Sequence, residues 1–201
     1  MSRALYPAYR LNRRKLLISC ATLAIATAAL NPEAASAQAF QGTPTTAAGT
    51  VTYSRSTPGS ETITVGTTSA TINWAPSDVQ GAGNINLLPS GNSATYQGAA
   101  GLTGYTVLNR ILPTDVTRTI ELNGTVLGKL SDGTTGGNIW FYSPGGVLIG
   151  SNAVVDVGGL LLSTLDLPDG FTATATGFNA NFSQTATSAG KVSILPGAQI
   201  N

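Results

Sequence analysis

The chain has 201 residues, with ten Lys and Arg against nine Asp and Glu, a single Cys and no His. Only 9% of the residues are charged, while 24 are Gly. A chain of this make-up has no imidazole or paired thiol to act as nucleophile, base or soft metal ligand, and no basic surplus to hold nucleic acid.

The first element is an export signal over residues 1–39. Arg3, Arg10, Arg13, Arg14 and Lys15 make a basic start, Leu16 to Leu30 is uncharged and apolar, Asn31-Pro32 breaks that run, and Ala35-Ser36-Ala37-Gln38-Ala39 follows. Basic, apolar, then small is the order of a secretory signal. Ala37-Gln38-Ala39 fits the A-x-A cleavage rule, which puts the cut before Phe40. The apolar run makes about 22 Å of helix, short of the ~30 Å of a bilayer core, so a membrane anchor is the weaker reading. Arg13-Arg14 has Asn12 and Leu16 where twin-arginine signals carry Ser or Thr and Phe. The general Sec route is therefore expected ahead of Tat. Cys20, in the lipobox-like Leu17-Ile18-Ser19-Cys20, is read as part of the removed helix.

From Phe40 onward the balance reverses. Arg55, Arg110, Arg118, Lys129 and Lys191 stand against Glu61, Asp78, Asp115, Glu121, Asp132, Asp156, Asp166 and Asp169, a net −3. This part has no Cys, so no disulfide can lock it in an oxidising compartment.

Strand-type runs then recur: Glu61 to Val65, Ala70 to Trp74, Asn84 to Leu88, Tyr105 to Ile111, Thr119 to Leu122 and Val126 to Leu130. Thr, Val and Ile fill them, Gly, Asn, Pro and Ser bound them, and no helical periodicity interrupts them, so the class is all-β. Asn123-Gly124 and Asp132-Gly133 have the form of hairpin turns. Runs beginning at Ile139, Val147, Val154 and Leu160 follow, the first and fourth 21 residues apart. Three short strands per period of about 20 residues predict one rung of a parallel β-helix, with Gly at the corners. Gly146, Gly150, Gly158 and Gly159 are the expected corners or close contacts, and Ile139 and Leu161 expected inward core positions. If Ile139 and Phe141 point inward, Trp140 and Tyr142 point outward and need a loop or hairpin to cover them. Residues 168–190 are expected to leave the coil as such a loop or hairpin, before Lys191 to Leu195 and Ala198 to Asn201 return as strands. Residues 40–201 are thus expected to be the front of a longer protein.

The residues from Thr106 to Leu167 also resemble a known family. In order come Leu108-Asn109-Arg110-Ile111, Leu127-Gly128-Lys129-Leu130, the strand Ile139 to Tyr142, the turn Ser143-Pro144-Gly145-Gly146-Val147, Gly150, Asp156-Val157-Gly158-Gly159-Leu160 and Leu162-Ser163-Thr164. This series resembles the N-terminal secretion domain of filamentous-haemagglutinin-like proteins, the exported partners of two-partner secretion. That family has an Asn-Arg-Ile or Asn-Arg-Val element, a Gly-x-Leu segment, an Asn-Pro-Asn-Gly-Ile turn and a Val-Gly-Gly-Leu run. Here Ser143 and Gly145 replace the two asparagines of the turn. Ser143 is expected to supply the side-chain bonding more weakly, and Gly145 the geometry.

The resemblance implies a right-handed parallel β-helix with an N-terminal cap and extra-helical hairpins or loops. It implies export through an outer-membrane β-barrel transporter whose periplasmic POTRA domains bind this domain. The mature protein would be a large secreted or surface-bound adhesin or haemagglutinin of a Gram-negative bacterium. It would meet a host-cell or carbohydrate receptor through a downstream region. Asn109, Arg110, Ser143, Pro144, Gly145 and Gly146 are the secretion-motif candidates, and Gly150, Gly158 and Gly159 the structural glycines. No catalytic, cofactor-binding or metal-binding residue is expected. Enzymes of β-helix form that cleave acidic polysaccharides cluster Asp with Lys or Arg, but here the carboxylates are thinly spread. Arg110 is expected to form a salt bridge, with Asp115, Glu121 or Asp156 as partner. The alternative is the passenger of a single-chain autotransporter or a structural surface protein. A transporter encoded on the same chain would favour it.

Overall fold

A computed structural model describes residues 38–78, 81–167, 171–174, 177–182 and 190–201. Residues 1–37 of the expected export signal, its apolar run included, lie outside the described residues. Among those described there are seventeen strands and no helix. In chain order they are β1 (Gly42–Ala48), β2 (Val51–Thr57), β3 (Ser60–Val65), β4 (Ser69–Pro76), β5 (Ile85–Leu88), β6 (Ser93–Gly98), β7 (Thr106–Ile111), β8 (Ile120–Leu122) and β9 (Thr125–Lys129). Then come β10 (Asn138–Tyr142), β11 (Gly146–Ile149), β12 (Val154–Asp156), β13 (Gly159–Ser163), β14 (Phe171–Thr174), β15 (Gly177–Ala180), β16 (Lys191–Ile194) and β17 (Gln199–Ile200).

These strands form a first sheet in the order β1-β4-β7-β10-β13, a second in the order β17-β12-β9-β6-β3-β2, a third in the order β16-β11-β8-β5, and the separate pair β14-β15. The all-β class holds, but the expected single right-handed parallel β-helix does not form. The sheets are mixed: β1 runs antiparallel to β4, β2 antiparallel to β3, and β14 antiparallel to β15. Where a cap was expected, antiparallel strands continue the first and second sheets. The reversal from β2 to β3 has a local cause in Pro58-Gly59, because Gly59 takes φ +74°, a region open to Gly without steric cost. The 21-residue spacing survives only as a register. Ile139 and Leu160 are partners in the parallel β10–β13 ladder, and Ile139 also pairs with Val107 of β7.

The predicted turns divide. Asp132-Gly133 closes a reversal in which Lys129 and Thr135 bridge antiparallel, whereas Asn123-Gly124 joins β8 to β9 in different sheets. Alternation along the strands sets the core. Ile63 and Val65, Ile72 and Trp74, Val107 and Ile111, Ile120 and Leu122, Ile139 and Phe141, and Val147 and Ile149 are all buried together. Glu61 shares their face, buried two residues before Ile63, and its carboxylate is met at 2.6 Å by Arg55 from β2. Among the described residues, the opposite face of the first sheet carries a second, smaller cluster of Leu108, Trp140, Tyr142 and Leu167, with Leu161 packed on it. Leu161 therefore does not share the face of Ile139. Its register partner is Trp140, and both point away from the main core.

Candidate functional site

The motif residues meet on three neighbouring strands of the first sheet. Asn109 and Arg110 are on β7, opposite Phe141 and Tyr142 of β10, while Gly159 begins β13 opposite Asn138. The turn Ser143–Gly146 leaves the end of β10 and leads into β11.

Period-two alternation turns Asn109 and Arg110 to opposite faces. Asn109 is inward and fully buried. Its Oδ1 accepts hydrogen bonds from Trp74 Nε1 at 3.0 Å and from the Tyr96 hydroxyl at 2.7 Å, and its Nδ2 donates to the Trp140 carbonyl at 3.1 Å. One side chain thus ties β4, β7 and β10 to β6 of the second sheet across the interior. Burial raises the Tyr96 hydroxyl well above the ordinary phenol range, and the nearby Glu61 carboxylate raises it further. Tyr96 stays a neutral donor to Asn109.

Arg110 faces outward. Its Nε donates to Asp166 Oδ1 at 2.8 Å and its Nη2 to Asp166 Oδ2, a two-pronged pair. Nη1 reaches Asn73 Oδ1 at 3.3 Å. The hydrogen bond to Asp166 raises the Arg110 guanidinium further above its ordinary value. Burial, with the Asp166 charge, likewise raises the neighbouring Tyr142 hydroxyl. The partner is therefore none of the three carboxylates expected. Asp115 accepts from Thr117 within its own turn, Glu121 accepts from Asn123, and Asp156 lies 3.6 Å from Lys129 Nζ. Asp166 stands 56 residues from Arg110 in sequence, and strand pairing rather than local spacing brings it there.

The turn is packed on both sides. The Ser143 amide donates to the Ser163 carbonyl at 3.1 Å and the Gly146 amide to the Ser143 carbonyl at 3.2 Å. The Ser143 hydroxyl is buried and has no hydrogen-bond partner among the described residues, so it does not supply the side-chain bonding expected of it. Gly145 does not take the left-handed geometry expected of it, which falls to Gly146; it meets a different demand, close backbone approach. A Cβ there would stand 2.1 Å from the Arg118 carbonyl oxygen. Gly146 takes φ +112° with the Lys191 backbone on its other side. Pro144 is half-buried. Gly150 lies under Asn123 and Gly159 against Asn138, while Gly158 approaches the Gly137 backbone.

Of the six motif candidates, only Arg110 and Pro144 keep appreciable exposure. The others are built into the interior or into stacked turns. Sequence reasoning missed Tyr96, Trp74 and Glu61, the companions of the Asn109 node. Alternation held a usable signal, since Glu61, Ile63 and Val65 recur at period two. It also missed Arg118, whose Nη2 pairs with Asp78 at 2.9 Å and whose Nε donates to the Gly83 carbonyl at 2.8 Å. No group of three or more His, Cys, Asp or Glu gathers among the described residues. In comparison with known proteins, the chain matches no family model and no curated protein.

Proposed function

We propose that this chain carries the N-terminal secretion domain of a large exported adhesin or haemagglutinin, addressed to an outer-membrane transporter with periplasmic POTRA domains. The carrying observation is the ordered motif series from Asn109-Arg110 through Ser143-Pro144-Gly145-Gly146 to Gly158-Gly159. Its three parts, far apart in sequence, lie on or beside the adjacent strands β7, β10 and β13. The basic, apolar and small-residue order of residues 1–39 supports export of the chain. The Cys-free remainder supports a passage in which no disulfide forms before the chain reaches the outside.

In this reading the secretion motif works through folding as much as through contact. Asn109 is sealed inside the folded domain, so a transporter can meet it only in the extended chain. Arg110 and Pro144 remain accessible after folding. Parallel neighbours let each strand form on the one before it, and the free energy released outside opposes return of the chain.

The test is export of the full chain in a Gram-negative host that supplies the transporter. Deleting residues 105–167 should abolish appearance of the protein outside the cell, and normal export of that variant would refute the proposal. Arg110→Ala separates address from scaffold. Lost export with unchanged melting points to recognition, while equal loss of both points to the Asp166 pair as a structural clasp.

A further inference from the structure

We infer that the processing cut falls between Ala37 and Gln38, two residues upstream of Phe40, and that Gln38 and Ala39 belong to the folded mature domain. The inference rests on the export reading above. Two overlapping stretches satisfy the small-residue rule: Ala37-Gln38-Ala39, which cuts before Phe40, and Ala35-Ser36-Ala37, which cuts before Gln38. Sequence alone does not separate them, because Ala37 serves in both.

The structure separates them by what residues 38 and 39 do. Ala39 is fully buried and belongs to the main core beside Phe40. Asn92 Nδ2 donates to the Gln38 carbonyl at 3.2 Å and to the Ala39 carbonyl at 3.0 Å, and Gln41 Nε2 donates to the Gln38 carbonyl at 3.0 Å. Just beyond, the Gln41 amide donates to the Leu87 carbonyl at 2.7 Å and the Ser77 amide to the Gln41 carbonyl at 3.0 Å. The Phe40 ring packs 4.8 Å from Trp74, 6.5 Å from Tyr96 and 6.3 Å from Phe141, centroid to centroid. Residues 38–41 are thus one clamp that holds Phe40 among the rings around Asn109.

A cut before Phe40 would remove both Asn92 acceptors and the Gln41 partner together. It would also place a new ammonium group on a residue that is fully buried, and burial of an unpaired charge is unfavourable. A cut before Gln38 leaves all these contacts in place and puts the ammonium on a half-buried residue. The hydrolysis consumes one water, leaves a carboxylate on Ala37 and creates the amino terminus of Gln38.

The experiment is N-terminal sequencing and intact-mass measurement of the exported full chain from a host carrying the transporter. A first residue of Gln38 is expected. A first residue of Phe40 in exported protein overturns the inference while leaving the export reading intact. A chain that stays inside the cell with Met1 still attached overturns the export reading and the inference with it.

Discussion

Asn109 bonds two buried rings and one strand carbonyl of the interior. Replacing it with Ala would strand the Trp74 indole N–H and the Tyr96 hydroxyl in the core, each bonded to it now. Orphaned buried donors cost on the order of 1–3 kcal/mol each. Asn109→Ala is therefore expected to lose about 3 kcal/mol or more in a urea titration, with export falling in step; an unchanged midpoint would remove it from the core's framework. Ser143 should behave in the opposite way. Its hydroxyl is buried and finds no partner among the described residues, so Ser143→Ala is expected to be neutral or slightly stabilising, within about 1 kcal/mol. Gly145→Ala, two residues on, should be severe, because its new Cβ would strike the Arg118 carbonyl. A melting comparison of these two variants tests whether the turn acts by side-chain bonding or by close backbone approach.

At the scale of elements, the join between β6, β7 and β9 depends on Tyr105. Its single hydroxyl proton is shared between the Tyr96 carbonyl at 2.8 Å and the Lys129 carbonyl at 3.2 Å. Burial pushes its pKa from 10.0 up to about 12. The folded chain then holds this proton more tightly than the unfolded chain, so the associated stability is complete below pH 10 and is lost as the pH rises through about 12. Melting temperature should fall across that interval, and Tyr105→Phe should make the fall shallower; an unchanged slope would remove Tyr105 from the alkaline limb. The β10–β13 ladder was readable in advance because Ile139 and Leu160 recur at the spacing of their pairing. The antiparallel strands β1 and β2 were not. Gly42 to Thr57 is rich in Thr, Ser and Ala, and β1 and β2 are edge strands with few buried side chains, so no apolar alternation marks them. Arg110 was legible as a paired cation, but Asp166 was not legible as its partner. That pairing follows from the loop after β13, which local spacing does not encode.

Across the whole molecule, burial fades along the ladders. In the third sheet Val147 and Ile149 are fully buried, yet their register partners Val192 and Ile194 on β16 are 44% and 53% exposed. The apolar rows thus continue onto a strand that the described residues leave uncovered. The buried rings gather instead around Phe40, beside Trp74, Tyr96 and Phe141. The two faces of the first sheet also hold the protein's two tryptophans, Trp74 among those inner rings and Trp140 in the outer cluster, both under 5% exposed. Nature has placed one fluorophore on each side of a single sheet. Trp140→Phe leaves an emission that reports the interior alone, and Trp74→Phe one that reports the outer cluster. Among the described residues the outer cluster buries Leu108, Trp140, Tyr142 and Leu167, against the longer set of the main core. Small clusters open at lower free energy than a main core. The lone Trp140 signal should therefore red-shift at a lower denaturant concentration than the lone Trp74 signal, each measured against its own variant's far-UV transition. Coincident curves would mean that both faces of the sheet come apart as a single cooperative unit.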